Sequence, residues 1–216
     1  MQHARRAAAA LALSACAKLG LAPHRVDVAW DLDGTLITHR RGEHADAQHV
    51  YSSPRSSYSL YLRPGAGRVL WLLSLFGNRQ VLFTAATQGY ADSIVNALLP
   101  GHLPQRLYRD ALTVQSSHGK DLNRVTALLG GALDSTLLID DQPRNRCGGQ
   151  HLCWVRRWDY GQPGGADLYR AAAVVLLSNL IGPKPAFALL QGVMAPPPPP
   201  QTAQPPQPPQ AQAQPV

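Results

Sequence analysis

The string Asp31-Leu32-Asp33-Gly34-Thr35-Leu36 most constrains this chain, because it puts two carboxylates two residues apart where the run Arg25-Val26-Asp27-Val28-Ala29-Trp30 gives out. In a parallel sheet, ligands collect at the carboxyl ends of strands, and a Gly-Thr turn there exposes the acids that precede it. A pair of this kind can divide its work, one acid attacking as a nucleophile while the other moves protons. Asp-x-Asp-Gly also opens calcium loops and ordinary strand-to-turn junctions. An EF-hand loop begun at Asp31 would want its closing Glu at position 42, which is a Gly, and a helix where the apolar strand stands.

Further along, the same pattern repeats. Residues 38–62 carry Gly, Ser, His and Tyr without helical periodicity, and the alternation Tyr58-Ser59-Leu60-Tyr61-Leu62 predicts a strand in a hairpin-like flap. Pro64 opens a helix with Val69, Leu70, Leu72, Leu73 and Phe76 toward a core, stopped by Gly77-Asn78. Gln80-Val81-Leu82-Phe83 reads as a second buried strand ending at Thr84-Ala85-Ala86-Thr87, with a helix after it presenting Tyr90, Ile94, Val95 and Leu98. A hairpin-forming stretch is expected around Leu107 to Val114, then Lys120 at the head of a helix with Leu122, Val125, Leu128 and Leu129. Thr136-Leu137-Leu138-Ile139 is a third apolar strand, and it ends in Asp140-Asp141. Strands alternating with helices predict an α/β domain with a parallel sheet, and polar groups after each strand should converge on one rim of it.

Composition narrows the classes. With 216 residues and 45% hydrophobic content the chain can bury a substantial core as one domain. The formal charge of +7 favours phosphorylated or acidic partners, but the Arg residues are scattered, with no run longer than Arg40-Arg41 or Arg156-Arg157, which argues against nucleic acid. Three cysteines, Cys16, Cys147 and Cys153, make no disulfide framework and suit a cytoplasmic or other reducing compartment. Cys147, His151 and Cys153 lack Cys-x-x-Cys pairing and a fourth ligand, so buried thiols are preferred over zinc. Residues 1–24 hold Arg5-Arg6 before an Ala-rich stretch, which reads as a helix packed on the domain or as a signal or transit segment. The domain proper is placed at 25–190. From 191 to 216 the chain lacks Asp, Glu, Lys and Arg and is rich in Pro and Gln, the composition of a disordered spacer or of a ligand for a polyproline-binding partner. No segment is long and apolar enough to span a membrane; Ala171 to Ile181 is too short.

Asp31-x-Asp33-Gly34-Thr35, Thr84, Lys120 and Asp140-Asp141, in this order, resemble the four motifs of the haloacid dehalogenase superfamily of phosphotransferases. Arg63-Pro64-Gly65, Leu82-Phe83-Thr84-Ala85-Ala86, Tyr90-Ala91-Asp92, Leu107-Tyr108-Arg109-Asp110 and Lys120-Asp121-Leu122 resemble its branch of polymerase C-terminal-domain and NLI-interacting-factor-like phosphatases. The resemblance implies a three-layer Rossmann-like sheet with helices on both faces. It makes Asp31 the nucleophile, Asp33 the general acid and base, Thr84 with Ala85 and Arg109 the phosphate ligands, and Lys120 the cation that balances phosphate and carboxylate. It also implies Mg2+ on Asp31, the Asp33 backbone carbonyl and Asp141, with Asp140 nearby, and a phosphorylated protein as substrate. Many relatives carry Asp-Asn-Ser-Pro where this chain has Asp140-Asp141-Gln142-Pro143, and an acid can replace the amide as a metal ligand. The intervals between motifs leave no room for a large cap domain, so the site should stay open. The same motifs also accommodate a small phosphate ester as substrate, or a phosphoprotein-binding adaptor of weak turnover that recruits partners through its Pro-rich tail.

Overall fold

A computed structural model describes residues 25–113 and 119–196. The expectations for residues 1–24 and for the chain beyond 196 therefore lie outside the described residues. At its centre is β1 (Asp27–Trp30), four residues buried on both faces. It pairs in parallel with β5 (Gln80–Phe83) on one side and β7 (Thr136–Asp140) on the other. β6 (Gln105–Leu107) and β8 (His151–Trp154) complete a five-stranded sheet of order β6-β5-β1-β7-β8.

Side chains alternate across the sheet as the pleat requires. Val28, Trp30, Leu82, Leu137 and Ile139 face one apolar cluster, which they share with α1 (Ala66–Leu75), α2 (Gln88–Leu98) and α4 (Gly165–Ile181). Ala29, Val81, Phe83 and Leu138 face a second cluster, with Leu122 and Val125 of α3 (Leu122–Leu129). The architecture is thus a three-layer, Rossmann-like α/β sheet, with no large cap among the described residues. No helix among the described residues is long and apolar enough to cross a membrane.

Four details differ from the sequence reading. The flap is not a single hairpin: β2 (Ile37–Arg41), β3 (His49–Ser53) and β4 (Ser56–Leu62) form an antiparallel sheet of order β2-β4-β3. Leu107 itself is not part of a hairpin: Gln105–Leu107 joins the parallel sheet beside β5 and a 3-10 turn, Arg109–Ala111, follows, while Thr113 makes an antiparallel bridge with Gly119 and Val114 lies outside the described residues. Phe76 lies past the last turn of α1 and is 41% exposed, while Leu128 turns outward on α3 at 42%. Beyond Leu190 the chain makes one more short helix, α6 (Gln191–Met194), after α5 (Pro183–Leu189), because Met194 seats in the main core.

Candidate active site

The site begins with strand register. Trp30 of β1 stands beside Ile139 of β7, so the next residues, Asp31 and Asp140, emerge side by side at the carboxyl edge, with Asp141 one step on. Asp31 donates its backbone N–H to the Ile139 carbonyl (2.9 Å), which continues the sheet to the first acid. Gly34 makes the close approach feasible: its φ of +86° suits the turn, and a Cβ there would stand 2.7 Å from Asp141 Oδ2. Thr35 Oγ1 accepts from the Asp141 N–H (3.1 Å). The buried Arg63 braces the same turn by donating to the Thr35 carbonyl (3.2 Å) and to the Gly164 carbonyl (2.6 Å).

Lys120 reaches this edge from the residue before Asp121, which caps α3 by accepting from the Asn123 N–H. Its ammonium is fully buried and donates to Asp31 Oδ1 (2.5 Å) and Asp140 Oδ2 (2.7 Å). Burial alone would lower the ammonium's pKa, but Asp31 and Asp140 outweigh it and hold the group above the ordinary lysine range. Burial pushes the Asp31 carboxyl up to about 7, against the pull of Lys120 and with a further push from Asp140 and Asp141. Asp141 is also raised, first by burial and then by Asp140, with Arg157 opposing.

The oxygens of these three acids are not equivalent. Asp140 is saturated: Oδ1 accepts from the Gln142 N–H (2.7 Å) and Asn145 Nδ2 (3.0 Å), and Oδ2 accepts from Lys120 and Asn145. Asp31 Oδ2 and Asp141 Oδ1 are buried with no hydrogen-bond partner. Asp31, Asp140 and Asp141 each offer an oxygen within 4.8 Å of the others. Orphaned buried acceptors call for a donor or a cation, and three acids against one buried lysine leave negative charge to neutralise. An all-oxygen set of this kind fits a hard divalent ion such as Mg2+.

Over the acids lies a cleft of about 450 Å³. Asp33 stands on its floor, half-buried, with Oδ1 accepting from the Tyr90 hydroxyl (2.8 Å) and lying 3.4 Å from His39 Nδ1. Thr84 and Ala85 form one wall at the end of β5; Thr84 Oγ1 accepts from the Ala86 N–H (3.1 Å), which leaves its own hydroxyl proton to donate. Arg109 is laid along this wall by donating Nε to the Ala85 carbonyl (2.8 Å) and its backbone N–H to the Ala86 carbonyl (3.0 Å). Arg144 adds a cation at the rim opposite, and the flap closes the remaining side with His39, Tyr51 and Tyr58.

The structure therefore brings Asp31, Asp33, Thr84, Ala85, Arg109 and Asp141 to one cleft. Lys120 does not line it; wedged between Asp31 and Asp140, it sits behind the first acid. Sequence reasoning places Tyr90 on a core-facing helix side and in the Tyr90-Ala91-Asp92 motif without giving it a role, and misses His39, Asn145, Arg144 and Arg157. Tyr90 left one signal, since a tyrosine on an apolar helix face needs a partner for its hydroxyl. Cys147, His151 and Cys153 do not assemble as ligands. Cys153 is buried in β8, with its thiol pushed up to about 11 by burial, and the His151 ring lies 4.4 Å from that of Phe187.

Comparison with known proteins gives the family and the fold. A family model described as NLI interacting factor-like phosphatase matches residues 28–177. Among solved structures, Fcp1, described as an essential RNA polymerase II CTD phosphatase, superposes with a TM-score of 0.51 at 19% identity over 78% of this chain and 53% of its own. The fission yeast RNA polymerase II CTD phosphatase Fcp1 bound to beryllium fluoride gives a TM-score of 0.50 at 18% identity over 78% and 54%. The chain spans about half the length of these two structures, and at such identities the likeness speaks to the fold. The family match covers most of the chain, including both ends of the acid cluster. The chain belongs to the NLI interacting factor-like phosphatase family.

Proposed function

We propose that the chain is a magnesium-dependent protein phosphatase that hydrolyses phosphoserine or phosphothreonine on extended segments through an aspartyl-phosphate on Asp31. The observation that carries this reading is the pair of orphaned, buried oxygens, Asp31 Oδ2 and Asp141 Oδ1, beside a lysine-held nucleophile candidate. Those two oxygens, with the Asp33 backbone carbonyl that the family resemblance adds, would hold the ion, while Asp140 fixes Lys120 and Asn145. Bound there, the ion would offset the surplus negative charge and polarise the phosphoryl oxygens.

The residues then act in sequence. Thr84 and Arg109 receive the phosphoryl oxygens from the β5 wall and orient the phosphorus toward Asp31. A carboxylate oxygen of Asp31 forms the new P–O bond as the bond to the serine or threonine oxygen breaks, and Asp33 gives that oxygen its proton. Asp33, now a carboxylate, takes a proton from water as the water oxygen attacks phosphorus. Orthophosphate leaves and Asp31 is regenerated. Both contacts to Asp33 fall on Oδ1, so Oδ2 remains for this shuttle.

An open cleft with no large cap among the described residues, flanked by the arginines at 109 and 144, supports access by a phosphorylated protein segment. That the Fcp1 structures are of RNA polymerase II CTD phosphatases supports the same reading for this chain. The test compares kcat/KM for a phosphopeptide panel and for small phosphate esters, with Mg2+ and with chelator. Phosphopeptides should lead, and chelation and Asp31→Asn should each abolish turnover. A strong preference for a small ester would overturn the protein substrate, and persistent turnover in Asp31→Asn would remove Asp31 from its role.

A further inference from the structure

Asp33 is gripped from two elements to which the phosphatase reading gives no task. Tyr90, in the first turn of α2, donates its hydroxyl to Asp33 Oδ1 at 2.8 Å. Burial, reinforced by Asp33, holds this phenol far above the ordinary tyrosine range, so it remains a donor. On its other side the Tyr90 ring meets Tyr51 of β3 edge-on, with centroids 5.0 Å apart and planes at 81°. The same flap strand is tied to the same helix by His49 Nε2, 3.0 Å from Ser93 Oγ. His39 of β2 approaches the same Asp33 oxygen at 3.4 Å.

A carboxylate turns easily about its terminal torsion. A proton donor, however, must lie within hydrogen-bond reach of the leaving oxygen, and a misplacement of about 1 Å can cost up to roughly 100-fold in rate. Pinning Oδ1 fixes the carboxylate's torsion at the cleft that Asp33 lines and leaves Oδ2 for the proton transfer. We propose that Tyr90 is a positioning residue for Asp33, braced through Tyr51, so that seating of the flap on α2 sets the aim of the proton-transfer group. This rests on the reading of Asp33 as general acid and base given above. It assigns the flap a part in the chemistry beyond closing one wall of the cleft.

The test uses Tyr90→Phe, which keeps the ring and its contact with Tyr51 and removes only the hydroxyl. With Mg2+ present, kcat/KM is measured for aryl phosphates of graded leaving-group acidity and for a phosphoserine peptide. An acidic phenol departs with little help, whereas a serine alkoxide needs the proton. The strongly acidic aryl phosphates should therefore lose less than about threefold and the phosphoserine peptide about 30-fold, at unchanged peptide KM, which steepens the leaving-group dependence. Tyr51→Ala should shift the same ratio in the same direction by about threefold. An equal loss on every substrate would overturn the proposal, as a merely structural role predicts that result. A raised peptide KM with unchanged leaving-group dependence would also overturn it, by placing Tyr90 against the substrate. Absence of turnover in the wild-type chain on every substrate would instead sink the phosphatase reading itself, so the two failures are distinguishable.

Discussion

The carboxyl edge of the parallel sheet and the three-stranded flap face each other across one cleft, yet they are built on opposite terms. At the sheet edge, Lys120 and Asp140 are fully buried, every oxygen of Asp140 is bonded, and the partners come from β1, β7 and the start of α3. In the flap, Ile37 and Leu60 of β2 and β4 are anchored in the main core, but the outer strand β3 alternates half-buried with exposed residues and is tied to α2 by an edge-on aromatic contact and a His–Ser hydrogen bond. Charge can be kept out of water only where every neighbour is fixed. On the proposed function this is a division of labour, in which the sheet edge would hold the reacting groups rigidly and the outer strand of the flap would meet the substrate from a face that can adjust at small cost.

Substitutions on the two sides should therefore differ sharply. Asp140→Ala leaves a buried lysine short of a partner, along with Asn145 Nδ2 and the Gln142 N–H, and should destabilise the fold by about 3–5 kcal/mol. Thermal unfolding should show a drop of about 10 °C or more; an unchanged melting point would mean that the cluster is not held as described. On the flap, Val50 is 37% exposed on the edge strand β3, and Val50→Ala should change stability by less than about 0.5 kcal/mol in the same assay. A loss there comparable to that of Asp140→Ala would show the flap to be as tightly integrated as the sheet, and would erase the contrast.

The contrast also explains what could be read from the sequence. β1, β5 and β7 announce themselves as apolar runs because they are covered on both faces, and each ends in a polar residue at the same edge. The acids and Thr84 were thus legible as a converging group before any coordinates. β6 was not: Gln-Arg-Leu has no strand signature and is recruited by the free edge of β5. The flap strands β2 and β3 carry polar and aromatic residues whose pairing is set by β4, so periodicity could not separate them from loop. The partners of Asp33 were hidden for another reason. Tyr90 lies 57 residues away, and nothing local tells which way a hydroxyl on a helix will point. Lys120 was legible as a residue of the site but not as a buried strut, since burial of a lysine depends on two acids brought from separate strands.

On the proposed function, Asp31 receives the phosphoryl group. The direct measurement mixes the full chain with Mg2+ and a phosphopeptide, quenches in acid within a turnover, and maps the phosphorylated residue by mass spectrometry. The expected result is an acid-stable, hydroxylamine-sensitive acyl-phosphate on Asp31 that is absent with chelator and in Asp31→Asn. Turnover without any phosphoenzyme, or with the label on a different residue, would contradict it.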